Sequence, residues 1–417
     1  MNTFQADAKK ILLDAIHASL PDEAVKKAIK GKDFEFNGKV IVISIGKAAW
    51  NMAKAAAENI PHKIDAGIVL TKYDHSQGDI PGFTILEAGH PLPDENTISG
   101  TKKIMEAVSG LTDKDIVFFL VSGGGSALFE SPAGGLTLAD FLDITDQMLK
   151  CGADIVEMNT VRKHLSAVKG GRFAELCSPA KVFCIALSDI LGDRPDSIAS
   201  GPACADASTS EEAFAVVEKY GLKLTDTMKE QLGKETPKTL SNVTMEITGS
   251  VTQLCADAAK TAESLGYTPL ILTNMLDCEA KEAGKFLASI AKTIQKDGLP
   301  LKPPCAVICG GETIVRITGK GKGGRNQELA LSAAESICDM EGVIVAAVGS
   351  DGTDGPTDAA GGMVDGNTKS ILDAKGISIS SVLAENDSNH ALAEADALIM
   401  TGPTGTNVND LYLLLCK

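Results

Sequence analysis

Residues 117–127 read VFFLVSGGGSA, five apolar residues followed by a serine, three consecutive glycines and a second serine. An apolar run of that length reads as a buried strand, and ligands of open α/β sheets bind beyond the carboxyl ends of strands. The pattern recurs along the chain. Apolar or β-branched runs at 39–45, 66–71, 83–88, 116–122, 182–188, 268–273, 305–310, 312–318, 342–348 and 396–401 alternate with helical stretches. The helical periodicity covers 3–19, 47–59, 95–109, 138–150, 210–220, 251–265, 277–296 and 325–338. Alternation of this kind specifies the α/β class, and continuous apolar runs mark strands covered on both faces of a mostly parallel sheet.

At 417 residues the chain exceeds what one core usually organises. The polar stretch 226–243, with Pro237 inside it, reads as the crossover, giving an N-terminal domain over 1–235 and a C-terminal domain over 236–417. CAVICGGETIVRIT (305–318) reads as two strands joined by a Gly-Gly turn, so the second sheet is expected to be mixed.

The net charge of −16 argues against a nucleic-acid partner, because phosphate-backbone binders carry a basic face. No run approaches a membrane span, and the N-terminus has acidic residues and no export signature, so a cytoplasmic protein is expected. The ten cysteines lack CxxC or zinc-like spacing, and several sit inside apolar runs, so reduced, buried thiols are expected. An acidic protein that binds an anion must concentrate its cations locally. Only five arginines occur, Arg162, Arg172, Arg194, Arg316 and Arg325, against 34 lysines, and most fall in Gly-, Asp- or Asn-rich segments. That is where a planar, permanently charged fork is useful.

The strand-end loops supply matching chemistry. Ser122, Gly123, Gly124, Gly125 and Ser126 can offer backbone N–H groups and hydroxyls to an anion. Gly46 and Lys47 end the first run, and a lysine opening a helix is unfavourable for the helix dipole unless an anion lies nearby. In MNTVRKHLSAVKGGRFAE, Arg162 and Lys169, with Ser166 less closely, share a face of one expected helix that Gly170 and Gly171 end before Arg172; His164 reads as structural. Asp189, just past a strand, can accept a proton, bind Mg²⁺ or cap a helix, and Asp193 and Arg194 follow it. Arg325, Asn326 and Gln327 open a helix after KGKGG, and Thr404 and Asn407 lie in a Gly/Thr/Asn loop. Asp351, Asp354 and Asp358 stand among glycines without EF-hand spacing; Asp351 and Asp354 are the candidates for Mg²⁺ beside phosphates. Cations and N–H groups for phosphates, carboxylates for Mg²⁺ and a base for a hydroxyl are the parts of phosphoryl transfer, expected in a cleft between the domains.

VSGGGSALFESP, NTVRKHLSAVKGGRFAE, LSDILGDRPDSIASGP, GGETIVRITGKGKGGRNQELAL, GSDGTDGPTDAAGG and TGPTGTNVND resemble, in order, the motifs of the class II glycerate 2-kinases, the MOFRL family. The resemblance runs from about residue 5 to the C-terminus. It implies a Rossmann-like N-terminal domain, a smaller α/β C-terminal domain and an active site between them. It also implies ATP- and Mg²⁺-dependent phosphorylation of D-glycerate to 2-phosphoglycerate, with Lys47 and Arg325 as catalytic cations and Asp189 as candidate base. Ser250 stands where that family is expected to have Asn. Some relatives carry a hydroxypyruvate reductase label, but an NAD(P)H-dependent enzyme needs a GxGxxG loop with an acidic ribose ligand about 20 residues on, and no such pair occurs in the right context. Oligomeric state, a homodimer included, is left open by these residues.

Overall fold

The structure, a computed structural model, describes residues 3–417. Contacts divide the chain into two compact units. One holds Pro21–Ser188 and Asp193–Thr248; the other holds the residues up to Leu20, Asp189–Gly192 and Gly249–Lys417.

The first unit is built on β1 (Val40–Ile45), β2 (Ala66–Lys72), β3 (Phe83–Ala88), β4 (Ile116–Val121), β5 (Lys181–Leu187) and β6 (Val243–Gly249), ordered β3-β2-β1-β4-β5-β6. The pairings β1–β2, β1–β4, β2–β3 and β4–β5 are all parallel. Every residue of β1 and β4 is buried, as their unbroken apolar runs require. One face carries Val40, Val42, Phe118, Leu120 and Ile185 against the helices Pro21–Ile29 and Ala49–Asn59. On the opposite side, Phe119 packs against Phe173 and Phe129 at ring separations of 4.5 and 5.9 Å. Each such fully buried side chain contributes about 1.5–3 kcal/mol. Strand order reverses between β1 and β4, so the loops that follow these two strands flank a topological switch point, where open α/β sheets bind ligands.

The second unit is a mixed sheet of β7 (Thr268–Leu276), β8 (Cys305–Gly311), β9 (Val343–Gly349), β10 (Gly361–Asp365), β11 (Leu398–Ile399) and β12 (Asp410–Cys416), ordered β11-β10-β9-β12-β8-β7. Only β7–β8 is parallel among its pairings. Val307, Val345, Tyr412 and Leu414 meet helices Ala280–Asp297 and Arg325–Ser336 on one face. Ile308, Ala346 and Leu413 meet helices Thr3–Ala18 and Val251–Ser264 on the other. Ala8, Ile11, Leu12, Ala15 and Ile16 form the buried stripe of the N-terminal helix, which is why that helix packs with this unit although it begins the chain.

Three expectations differ from the observed fold. Residues 236–248 stay with the first sheet, because β6 flanks β5, and Val182 N–H donates to Asn242 O at 2.8 Å. Glu312–Thr318 is not a strand: β8 pairs with β12 and β7, and the segment forms a strap with a single bridge between Ile314 and Glu279. The expected helix through Arg162 and Lys169 up to Gly170 ends already at Leu165, where Ser166 turns extended and pairs with Pro132. A new helix, Arg172–Cys177, starts after Gly171. All ten cysteines are free, and six are buried. Among the described residues no helix is long and apolar enough to cross a membrane.

Candidate active site

In the first unit the loops after β1 and β4 are joined. Gly46 has φ 108°, and a Cβ there would fall 2.4 Å from Ser122 Oγ, so only glycine allows the approach. Ser122 Oγ donates to Ile45 O (3.1 Å) and accepts from Ala48 N–H (3.1 Å), while Lys47 N–H donates to Gly123 O (2.9 Å). The Ser122 hydroxyl is therefore used to fasten the loops rather than to meet a ligand. Ser126 Oγ lies 3.0 Å from Ser200 Oγ, which donates to Asn159 Oδ1, so the Ser126 proton goes to Ser200. Ala199, Ser200 and Gly201 are all left-handed (φ 51, 61 and 67°), and a Cβ on Gly125 would meet Ala199 Cβ at 2.7 Å. Strained backbone of this kind persists where surrounding contacts over-determine it, commonly at functional sites.

The expected cation cluster is mostly spent on backbone. Lys169 is fully buried, donates to Ser126 O (2.8 Å) and Phe129 O (3.0 Å) and pairs with Glu130 (3.2 Å). Burial pushes its pKa down to about 8 against the opposing pull of Glu130. Arg172 Nη1 donates to the carbonyls of Lys163, His164 and Ser166, capping the end of helix Ile155–Leu165. Arg162 Nη2 reaches Ser126 O at 3.3 Å, with its guanidinium over Phe141. Lys169 and Arg162 thus hold the glycine loop from behind, and Arg172 is a helix cap. His164 is buried with Nδ1 against Thr160 O, a structural role.

A residue that the motif reading passed over joins Lys47. A Cβ on Gly124 (φ 85°) would meet the His90 imidazole at 3.0 Å and the Lys47 stem at 3.2 Å. Burial, reinforced by the charges of Lys47, Lys72 and His75, lowers the His90 pKa and favours the neutral ring at neutral pH. The signal was present: EAGHP follows the end of β3, a strand-end position like the others.

In the second unit Arg325 is gripped on two sides. Nε and Nη2 donate to the two carboxylate oxygens of Asp410 (2.5 and 3.2 Å), and Nη1 donates to Glu312 (2.9 Å). Three of five guanidinium N–H groups are used, leaving two for a ligand. Burial opposes the charge, but Asp410 outweighs it and raises the Arg325 pKa, so the cation is permanent. Asp410 is 2% exposed and also accepts from Tyr412 Oη (3.1 Å); burial raises its pKa to about 6 despite Arg325. Glu312 in turn accepts from Asn409 Nδ2 (3.1 Å), which also donates to the backbone carbonyl of Asp189 (3.2 Å). Asp189 and Arg325 are therefore two ends of one hydrogen-bonded chain.

The two proposed metal ligands separate. Asp354 is buried and accepts four N–H bonds, from the backbone and side-chain nitrogens of Asn326 and Gln327 at 2.9–3.3 Å. A carboxylate surrounded by donors is a helix cap and does not fit a cation; it also takes up the Asn326 N–H groups that a phosphate at this helix start would meet. Asp351 is half-buried beside a cleft, with Oδ1 accepting from Thr353 N–H (3.0 Å), and its donor chemistry fits Mg²⁺, which needs only one or two carboxylates beside phosphate oxygens. Thr404 donates to Ser350 O and fixes its loop, whereas Asn407 is exposed on the same cleft. Ser250 caps helix Val251–Ser264 through Gln253 N–H.

Two families match successive segments of the chain. The family described as a domain of unknown function, DUF4147, matches residues 7–233, and the MOFRL family matches residues 305–410. A D-glycerate 2-kinase of Thermotoga maritima is 53% identical over 97% of both chains, and a glycerate 2-kinase of Pyrococcus horikoshii is 43% identical over 97% of this chain and 96% of that one. The crystal structure of a glycerate kinase from Thermotoga maritima superposes with a TM-score of 0.95 at 52% identity, covering 99% of each chain. On this evidence the chain belongs to the class II glycerate kinase family, a DUF4147 segment followed by a MOFRL segment.

Proposed function

We propose that this protein is a kinase that uses ATP and Mg²⁺ to phosphorylate the 2-hydroxyl of D-glycerate, giving 2-phosphoglycerate and ADP. The observation that carries the reading is the hydrogen-bonded chain from Asp189 through Asn409 and Glu312 to Arg325. It ties the backbone of Asp189, whose carboxylate can accept a hydroxyl proton, to a cation with two unused donors, the base and the cation that phosphoryl transfer uses. The relatives named as glycerate 2-kinases support the acceptor and the position of transfer.

In this reading Lys47 and Arg325 neutralise charge on the transferring phosphoryl group, and Asp189 orients or deprotonates the 2-hydroxyl. The Gly123–Ser126 backbone, braced by Arg162 and Lys169, offers N–H groups to an anion. Asp351 would hold Mg²⁺, which when bound supplies charge neutralisation on the phosphate oxygens. Asp410 keeps the Arg325 fork in one orientation. ATP consumption with D- and L-glycerate, with the phosphate position of the product read by NMR, tests the reading. The expected result is Mg²⁺-dependent turnover of D-glycerate to the 2-phosphate. Formation of the 3-phosphate, or no ATP-dependent turnover, would overturn it.

A further inference from the structure

The strap Glu312–Gly324 has an unusual surface. It carries Arg316, Lys320 and Lys322, with Arg325 next in sequence, against a single acidic residue, in a chain whose acids outnumber its bases by 55 to 39. Beside these cations it exposes two large aliphatic side chains, Ile317 at 81% and Ile314 at 60%. The strap is not loose. Asn386 Oδ1 accepts from Thr318 N–H (2.7 Å) and Gly319 N–H (2.9 Å), Asn386 Nδ2 donates to Arg316 O (3.2 Å), and Lys322 N–H donates to Asp387 Oδ1 (3.0 Å). Gly321 N–H donates to Glu385 O at 2.8 Å, and Ile314 N–H to Cys278 O at 3.1 Å. Side chains of residues 386–387 thus do the work that a strand partner would do. They fix an apolar edge in solvent, an arrangement that costs free energy unless something covers it.

Ile314, Val315 and Ile317 line one wall of a cleft of about 690 Å³ that lies wholly within the second unit. Arg325 and Glu312 lie along the same cleft, and Asp351, Thr353, Gly355 and Pro356 contribute its other lining. Volumes of 300–1,000 Å³ suit small-molecule ligands. Of the two substrates of the proposed reaction, glycerate is a small acid with hydroxyls on both other carbons and has no apolar face to offer. A nucleoside triphosphate has a flat, weakly hydrated base at one end and a polyanion at the other. This matches a cleft with aliphatic side chains and a permanent cation.

We propose that Ile314, Val315 and Ile317 form the nucleobase wall of the phosphoryl-donor site, with the polyphosphate directed toward Arg325. This inference rests on the kinase reading for the identity of the ligand. It also gives the glycines of this loop a role distinct from a phosphate nest: they let the strap lie flat on residues 385–388, since a Cβ on Gly319, Gly321 or Gly323 would fall 2.1–2.4 Å from atoms of that segment.

Ile317→Asp and Ile314→Asp test the proposal on the whole 417-residue chain; both side chains are exposed, and an unchanged unfolding midpoint checks that the fold is kept. ADP affinity, measured by equilibrium dialysis in the presence of Mg²⁺, is expected to fall about tenfold or more, the scale of a lost apolar contact in a ligand pocket. The KM for ATP should rise in parallel, with the KM for D-glycerate unchanged. Wild-type ADP affinity in both variants would overturn the base wall while leaving the kinase reading intact. If the wild-type protein binds ADP in an Ile317-dependent way but does not phosphorylate glycerate, the wall stands and the kinase reading fails.

Discussion

Gly123–Ser126 after β4 and Gly319–Gly324 before helix Arg325–Ser336 are both glycine-rich segments that lead into a helix, yet their glycines answer to different neighbours. Around the first, a Cβ on Gly124 would strike the His90 ring and the Lys47 stem, both basic groups of the candidate site, and the short helix Gly125–Leu128 has no side-chain cap. Around the second, Cβ atoms would strike residues 385–388 and Asp354, and the helix N–H groups of Asn326 and Gln327 are already taken by Asp354. One loop keeps its surroundings basic and its helix start uncapped. In the other the glycines serve packing, and the proposed functional groups are Arg325 and the strap edge. A glycine run therefore signals close approach, and only the neighbour reveals whether a ligand or the protein itself is approached.

That contrast can be broken most sharply at the cap. Asp354→Ala leaves four N–H donors without their acceptor, and urea unfolding should show a loss of about 3 kcal/mol with the Mg²⁺ requirement of the remaining activity unchanged. Asp351→Ala should do the reverse, retaining stability while the Mg²⁺ concentration for half-maximal rate rises about tenfold or more. An Asp354 variant that keeps its stability and loses its Mg²⁺ response would exchange the two roles.

The glycines themselves give the next largest effect. Gly323→Ala puts a Cβ 2.1 Å from Ser388 Oγ and should cost about 2 kcal/mol of stability, as overpacking does, with little change in turnover per folded molecule. Gly124→Ala should cost about 1–2 kcal/mol through its left-handed backbone and, by displacing His90 and Lys47, reduce turnover about tenfold or more. Equal turnover in the two variants, corrected for folded fraction, would erase the distinction between the loops.

A smaller effect concerns the carboxylate beneath Arg325. Burial raises the folded pKa of Asp410 from 3.8 to about 6, so the folded state binds this proton more tightly than the unfolded state. The contribution of Asp410 to stability is therefore complete below about pH 4 and declines as pH rises toward about 6. Denaturant unfolding at intervals between pH 4 and 7 should show this downward slope, and Asp410→Asn should flatten it.

Much of the fold was legible because long periodic segments declare themselves. All eight helical stretches read from spacing correspond to helices, and β1–β5 and β7–β9 follow their apolar runs. What failed has local causes. LYLLLC is as apolar as any strand in the chain, but its start overlaps the Gly/Thr/Asn loop, which hides β12, the strand between β8 and β9. GGMVD offers one-sided, weak apolarity, so β10 merges in sequence with the Asp/Gly loop before it. ETIVRIT has strand-forming residues, but its backbone bonds go to Asn386 and Cys278, which no local pattern encodes. The site followed the same logic. Lys47, Asp189 and Arg325 stood out as charged groups at strand or helix ends. The commitment of Lys169 to buried carbonyls and of Asp354 to a helix start depends on long-range packing.

The central proposal is that Asp189 and Arg325, whose segments are joined through Asn409 and Glu312 within one unit, serve one phosphoryl transfer. Steady-state turnover of Asp189→Asn, Arg325→Ala and the double variant with ATP and D-glycerate tests it most directly. Each single substitution is expected to lower kcat about 10²–10³-fold, and the double variant should fall well short of the product of the two losses, as groups that act as a unit do. Near-normal turnover in either single variant, or losses that multiply in the double variant, would contradict the account.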